Sequence, residues 1–242
     1  MKQNFMKKWK EMLFCIFFPR HCPLCDEVIE YGHDVCRACA KKVPYIKEPA
    51  CKKCGKQLEN ERREYCGDCS GKQHHYIQGK AVFSYRGEMK LSMYRFKYSN
   101  KREYADFYVK EAASRYGAWL VRRGIEVIIP VPMYAKKRRI RGYNQAEVFA
   151  KRLGGETGIL VDDKMIRRIK NTTPQKELND RQRKDNLKGA FQVKPNIVKY
   201  SKILLVDDIY TTGATVDAIA ELLIKAGVAE VYFMSICVGE GD

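Results

Sequence analysis

Apolar and polar positions alternate along this chain on two different periods. Ile203 to Val206 form an unbroken apolar run rich in branched side chains. That is the signature of a strand covered on both faces, as in a parallel sheet. Beyond a polar turn, Val216, Ile219, Ala220, Leu222, Leu223 and Ala226 recur at helical spacing, and Gly227 stands where a helix-ending glycine belongs. Val127-Ile128-Ile129 repeats the buried-strand signature, stopped by Pro130 and Pro132, and a helix follows with Ala146, Phe149, Ala150 and Leu153 inward. Ala105, Val109, Ala112, Ala113, Tyr116 and Leu120 mark an earlier helix face, and Glu230–Val238 reads as a closing strand. Strands alternating with helices predict an α/β domain, a parallel sheet flanked by helices. Arg167–Phe191 is polar and keeps no period, which marks it as a lid or a disordered insert.

The N-terminal part is organised by cysteine instead. Cys22-Pro-Leu-Cys25 and Cys36-Arg-Ala-Cys39 are followed by Cys51-Lys-Lys-Cys54 and Cys66-Gly-Asp-Cys69, with ten and eleven residues between the members of each set. Two C-x-x-C knuckles joined by a short loop supply four thiolates, a closed tetrahedral site of the zinc-ribbon kind. The unit occurs twice, so two structural zinc ions are expected. Spacing leaves open whether the knuckles pair locally or interleave. A redox dithiol accounts for one C-x-x-C but poorly for four, and iron–sulfur ligation is the competing metal reading. The segment is poor in apolar residues, so the metal would supply folding energy. The expected division is 1–75 for an N-terminal helix with the double Cys₄ domain and 76–242 for the α/β domain. Cys15 and Cys237 lie among apolar neighbours and read as core thiols.

Charge narrows the partners. The formal net charge is +17, and between Lys136 and Lys194 17 lysines and arginines face only 7 aspartates and glutamates. Such an excess calls for anionic ligands or a polyanion. From Tyr85 to Lys101, tyrosines and Phe96 interleave with Arg86, Lys90, Arg95 and Lys97. That texture suits stacking with phosphate contacts along a single strand, and equally an ordinary helix with a basic face. Met12–Phe18 is too short to span a bilayer, so no stable membrane span is expected. With Lys2, Lys7, Lys8 and Lys10 it suits either a helix lying on a membrane surface or one docked on the neighbouring domain. Paired cysteines and the lack of a signal-type cleavage site indicate a cytoplasmic protein, the basic helix leaving contact with the inner face of the membrane open.

The chemistry converges after the strand at Val206. Asp207 and Asp208 come next, then Thr211-Thr212-Gly213-Ala214-Thr215 at the start of the helix. Backbone N–H groups at a helix start lack intrahelical partners and favour a phosphate. Gly213 permits close approach, the threonines add donors, and the acids can accept from sugar hydroxyls or help hold a divalent cation. A phosphorylated sugar is the expected ligand. No G-x-x-x-x-G-K-[ST] sequence is present, so this is not a nucleotide P-loop.

Val206-Asp207-Asp208-Ile209-Tyr210-Thr211-Thr212-Gly213-Ala214-Thr215 resembles the phosphoribosyl pyrophosphate (PRPP) motif of type I phosphoribosyltransferases. The resemblance implies that fold, with Asp207 and Asp208 on the ribose hydroxyls, Thr211, Thr212, Gly213, Ala214 and Thr215 around the 5′-phosphate, and magnesium entering with PRPP. It places a pyrophosphate loop at Lys136, Lys137, Arg138, Arg139, Arg141 and Gly142, most distinctively in Arg141-Gly142-Tyr143-Asn144-Gln145. It also implies a flexible loop over the pyrophosphate, with Arg181 or Arg183 supplying charge to the leaving group, and a ligand role for Lys97 in the segment before the first core strand.

The double Cys₄ unit, Arg-Gly-Tyr-Asn-Gln, Thr173-Pro-Gln and the acidic motif together resemble the ComF family, from about Cys22 to Val238. That family is associated with bacterial competence, the uptake of single-stranded DNA. The resemblance therefore implies single-stranded DNA as a partner. Its alternatives are a non-catalytic zinc-ribbon adaptor docking a DNA-uptake helicase, and an active phosphoribosyltransferase of metabolic role. No separate nucleobase-binding hood is visible after the last strand, so PRPP binding is better founded than transfer to any named base.

Overall fold

A computed structural model describes residues 19–171, 187–194 and 199–239. The expected N-terminal helix, Cys15, and the segment bearing Thr172, Thr173, Pro174, Gln175, Leu178, Arg181, Arg183 and Asn186 lie outside the described residues. In chain order the elements are α1 (Arg37–Ala40), β1 (Gly79–Ser84), α2 (Glu88–Tyr98), α3 (Tyr104–Arg123), β2 (Val127–Pro130), α4 (Ala135–Arg141), α5 (Gln145–Thr157), β3 (Leu160–Val161), β4 (Ile166–Arg168), β5 (Phe191–Val193), β6 (Lys202–Tyr210), α6 (Ala214–Lys225) and β7 (Glu230–Val238).

Five strands form one parallel sheet in the order β1-β7-β6-β2-β3. The apolar run of β6 sits at its centre, which is why it shows no alternation: Leu204 and Val206 pack into one core and Ile203 and Leu205 into the other. The first core holds Phe96 of α2, Tyr108 of α3 and Phe149 of α5, and the second holds Val216, Ile219 and Leu223 of α6. Each such aliphatic side chain, fully buried, contributes roughly 1.5–3 kcal/mol. Gly79 is dictated by packing, since a Cβ there would collide with the Phe233 ring of β7.

Three local features differ from the sequence reading. First, β6 does not stop at Val206 but continues through both acids to Tyr210, because its ladder with β7 persists to Val238. Second, the basic stretch expected as a loop is the helix α4, ended by Gly142 in the left-handed region (φ +84°). Third, the unpatterned segment is bracketed by β4 and β5, a two-stranded antiparallel sheet of three-residue strands too short to show a period.

The two cysteine sets dock against different parts of the domain. In the first, Lys101 bridges to Asp26 at 2.8 Å, Arg95 Nη1 donates to the Leu24 carbonyl at 3.0 Å, and Tyr104 donates to Asp26. The connecting stretch joins β1, with Ser84 N donating to Pro44 O and Arg115 lying 3.9 Å over the Tyr45 ring. The second set abuts β1 at Gly55, where a Cβ would sit 3.1 Å from Ala81 N, and Gly79 N donates to Lys53 O.

Candidate phosphosugar site and metal centres

Adjacent strand residues point to opposite faces, so β6 sends its two acids to different sides. Asp208 faces α2, where Lys97 Nζ lies 3.0 Å from its carboxylate. Asp207 faces the β4 side, within the field of Arg168. Burial pushes the Asp207 carboxyl up to about 7, the neighbouring Asp208 charge adds to this, and the Asp208 N–H together with Lys97 and Arg168 opposes it. Burial works against the Lys97 ammonium, yet the Asp208 carboxylate outweighs it and its pKa is raised. Arg168 is lowered by its own burial and lies 5.3 Å over the Phe191 ring of β5.

Of the basic residues on α4, Lys137 and Arg141 are half-buried, whereas Lys136, Arg138 and Arg139 are exposed. Burial and the charges of Arg168 and Arg141 depress Lys137, so these three cations share one neighbourhood. Arg138 is engaged by Glu147 at 2.9 Å. A cavity of about 280 Å³ runs between α4 and β4, lined by Pro130, Met133, Arg138, Asn144, Arg167 and Arg168.

The Arg-Gly-Tyr-Asn-Gln stretch acts here as a clasp. Tyr143 donates to the Phe96 carbonyl, Gln145 Nε2 lies 3.4 Å from the Phe96 and Lys97 carbonyls, and Asn144 donates to Val131 O at 2.9 Å while capping α5. It therefore fixes the end of α2 that delivers Lys97 to Asp208. Tyr143 and Gln145 are nearly or fully buried, as that role requires.

At the other end of the site, Gly213 is the N-cap of α6 with φ +81° and has no side chain with which to cap it. A Cβ on Gly213 would collide with the Tyr210 hydroxyl packed beneath it. Thr212 Oγ1 is buried with no hydrogen-bond partner among the described residues. An uncapped helix start beside an unsatisfied buried hydroxyl can receive a phosphate oxygen.

Sequence reasoning missed the brace under this turn. His74, just past the last cysteine, contacts the Asp217 carboxylate in the first turn of α6, and His75 N donates to the same carboxylate at 3.0 Å. The His74 ring stacks on Tyr76, whose hydroxyl meets that of Tyr210 at 2.8 Å. The second cysteine set is thus tied through His74 and Tyr76 to both sides of the Thr211–Thr215 turn. His74 carried no motif of its own, and Arg168 sat in a stretch without periodicity.

The eight thiols gather locally, Cys22, Cys25, Cys36 and Cys39 in one group and Cys51, Cys54, Cys66 and Cys69 in the other, all sulfurs of a group within 4.8 Å of one another. Cys25 and Cys36 sulfurs are 3.7 Å apart and Cys54 and Cys66 sulfurs 3.5 Å. Zn–S bonds of ~2.3 Å in a tetrahedron give edges of about 3.8 Å, so each group fits one zinc ion. The groups are too tight to enclose a multi-iron cluster. These two tetracysteine sites support structural zinc. Cys237 is fully buried, as a core thiol should be. Among the described residues no helix is long and apolar enough to cross a membrane.

Comparison with known proteins agrees with this architecture. A double zinc ribbon domain matches residues 13–70, and a phosphoribosyl transferase domain matches residues 141–240. Competence protein F of Haemophilus influenzae is 30% identical over 226 residues, covering 89% of this chain and 95% of that protein. DNA utilization protein YhgH of Escherichia coli K12 is 29% identical, covering 90% and 97%. Competence protein ComFC of Bacillus subtilis is 25% identical, covering 86% and 90%. Among solved structures, a crystal structure of adenine phosphoribosyltransferase aligns at 15% identity with a TM-score of 0.38, over 60% of this chain and 75% of that one.

Proposed function

Because this chain belongs to the ComF family, we propose that it is a competence-associated protein that binds PRPP with magnesium and handles single-stranded DNA. The observation that carries the reading is the acid pair flanked by cations on both faces, set beside an uncapped, threonine-rich helix start.

In this reading the ribose hydroxyls meet Asp207 and Asp208, and the 5′-phosphate lies in the Thr211–Thr215 turn against the α6 N–H groups. The diphosphate faces the basic residues of α4, of which Lys137 and Arg141 are half-buried, and Arg168 lies beside it. Arg181 or Arg183 supplies further positive charge. Asp207 or Asp208 would help hold the magnesium that enters with the diphosphate, and the ion would supply charge neutralisation at the leaving group. Lys97 holds Asp208 in the free protein and yields as ribose hydroxyls replace it. Division near residue 75 separates a metal-stabilised part from the ligand-binding part. The single-strand role draws support from the names of the relatives and the +17 net charge.

Thermal denaturation of zinc-loaded protein tests the pocket. At one hundred times its Kd, magnesium-PRPP should stabilise by about 2.7 kcal/mol, a rise of roughly 5–10 °C for a chain of this size. Ribose 5-phosphate or pyrophosphate alone should give less. No shift at millimolar PRPP would rule the ligand out. Oligothymidine binding that falls steeply with salt tests the second half.

A further inference from the structure

We propose that the exposed tyrosine face of α2, where it meets the basic helix α4, is the track for single-stranded DNA, with unpaired bases stacked on Tyr94 and Tyr98. The inference rests on the single-strand reading above and names the surface that would carry it.

The face is built, not incidental. Met89, Met93 and Phe96 turn into the core, while Leu91, Tyr94 and Tyr98 share the opposite side at 56%, 60% and 61% exposure. The two tyrosine rings lie 5.1 Å apart at 47°. Arg141 of α4 reaches across to them, its guanidinium 4.9 Å over the Tyr98 ring and Nη2 donating to the Tyr98 hydroxyl at 3.2 Å. Ile140, 79% exposed, extends the patch on α4. Large rings left in water offer flat faces to a partner, Tyr98 on the side that Arg141 does not cover.

Charge selects the occupant. Residues 89–102 contain five lysines and arginines and no acid, and residues 135–145 contain five more and no acid. Asp26 engages Arg95 and Lys101, and Asp208 engages Lys97, while Lys90, Arg102, Lys136 and Arg139 are exposed. Aromatic faces between rows of cations match a strand whose bases and phosphates alternate. The chain's own N-terminal segment is a poor occupant, since Lys2, Lys7, Lys8 and Lys10 would be repelled. Tyr98 directly follows Lys97, which pairs with Asp208, so a nucleotide stacked there lies beside the phosphosugar site. Base pairs in a duplex offer no free faces except at their ends, so single strands should be preferred.

Fluorescence anisotropy of a labelled oligothymidine decides the matter, using zinc-loaded full-length protein. Wild type is compared with Tyr94→Ala/Tyr98→Ala and Tyr94→Phe/Tyr98→Phe. Both rings are exposed, and an unchanged Tm verifies folding. Stacking predicts roughly tenfold weaker binding per ring removed and about a hundredfold for the pair. The phenylalanine pair should bind within a few-fold of wild type. Salt slopes should be unchanged by the tyrosine variants, while Lys90→Ala/Arg102→Ala should lower the slope by about 0.7 for each phosphate left unneutralised. If wild type binds and the alanine pair binds equally well, the track lies elsewhere and the proposal is overturned. If wild type binds no oligothymidine at low salt, the single-strand reading itself falls. Polyglutamate binding with the same tyrosine dependence would reassign the face to an acidic protein and overturn the proposal too.

Discussion

Asp207→Asn should make the free protein more stable while destroying its ligand site, and the gain should depend on pH in a defined sense. Asp207 lies at the centre of the sheet, and burial with the Asp208 charge raises its carboxyl from 3.8 to about 7. A raised acid holds its proton more tightly folded than unfolded. Wild-type stability therefore declines as pH rises from about 4 and levels off above about 7. At 1.36 kcal/mol per pH unit the full cost is roughly 4 kcal/mol. The acid still faces a ligand cleft, so about 2 kcal/mol is the working expectation. Asparagine avoids that cost, and at pH 8 its Tm should exceed wild type by roughly 4–8 °C. The gain should shrink as pH falls and be small below pH 4. Scanning calorimetry of zinc-loaded protein without ligand measures this directly. An equal gain at every pH, or none at pH 8, would refute the claim that the acid is held against its own ionisation.

Further outcomes follow from the same contacts. Gly213→Ala adds a Cβ in the left-handed region against the Tyr210 hydroxyl; it should cost about 1–2 kcal/mol and abolish the PRPP-induced rise in Tm. A variant that keeps the full rise would show that the turn does not cradle the phosphate. Asp217→Ala leaves the buried His74 ring and the His75 N–H without their partner, a loss of roughly 1–3 kcal/mol readable by urea denaturation. Atomic emission should find two zinc ions per chain, and one in Cys51→Ser/Cys54→Ser. Because the second site is braced to α6 through His74, that variant should lose more PRPP response than Cys22→Ser/Cys25→Ser. The opposite order would break the link between brace and turn.

The three inner strands were legible because β2, β6 and β7 are largely apolar runs, and α3, α5 and α6 through one clean face each, whereas the edge strands β1 and β3 carried no such signal. The cysteine groups were legible through spacing, although only the fold resolves local from interleaved grouping. Side-chain reach across elements was not legible. Nothing in sequence brings Lys97 of α2 onto Asp208, or the charge of Arg168 to bear on Asp207, because both placements depend on how separate elements pack on the sheet. Arg-Gly-Tyr-Asn-Gln was visible as a motif, but its contacts are with backbone carbonyls of α2, which a motif cannot specify. The tyrosine-rich texture from Tyr85 to Lys101 separated only in three dimensions, with Phe96 buried and Tyr94 and Tyr98 outward.

Everything proposed for the α/β domain turns on whether Asp207, Asp208 and the Thr211–Thr215 turn form a PRPP pocket. Calorimetric titration of magnesium-PRPP into zinc-loaded wild type and into Asp207→Ala/Asp208→Ala is the decisive comparison. A pocket at these residues predicts saturable binding at one site per chain in wild type, abolished in a double variant that retains both zinc ions. Equal binding by the double variant, or none by well-folded wild type, would contradict it.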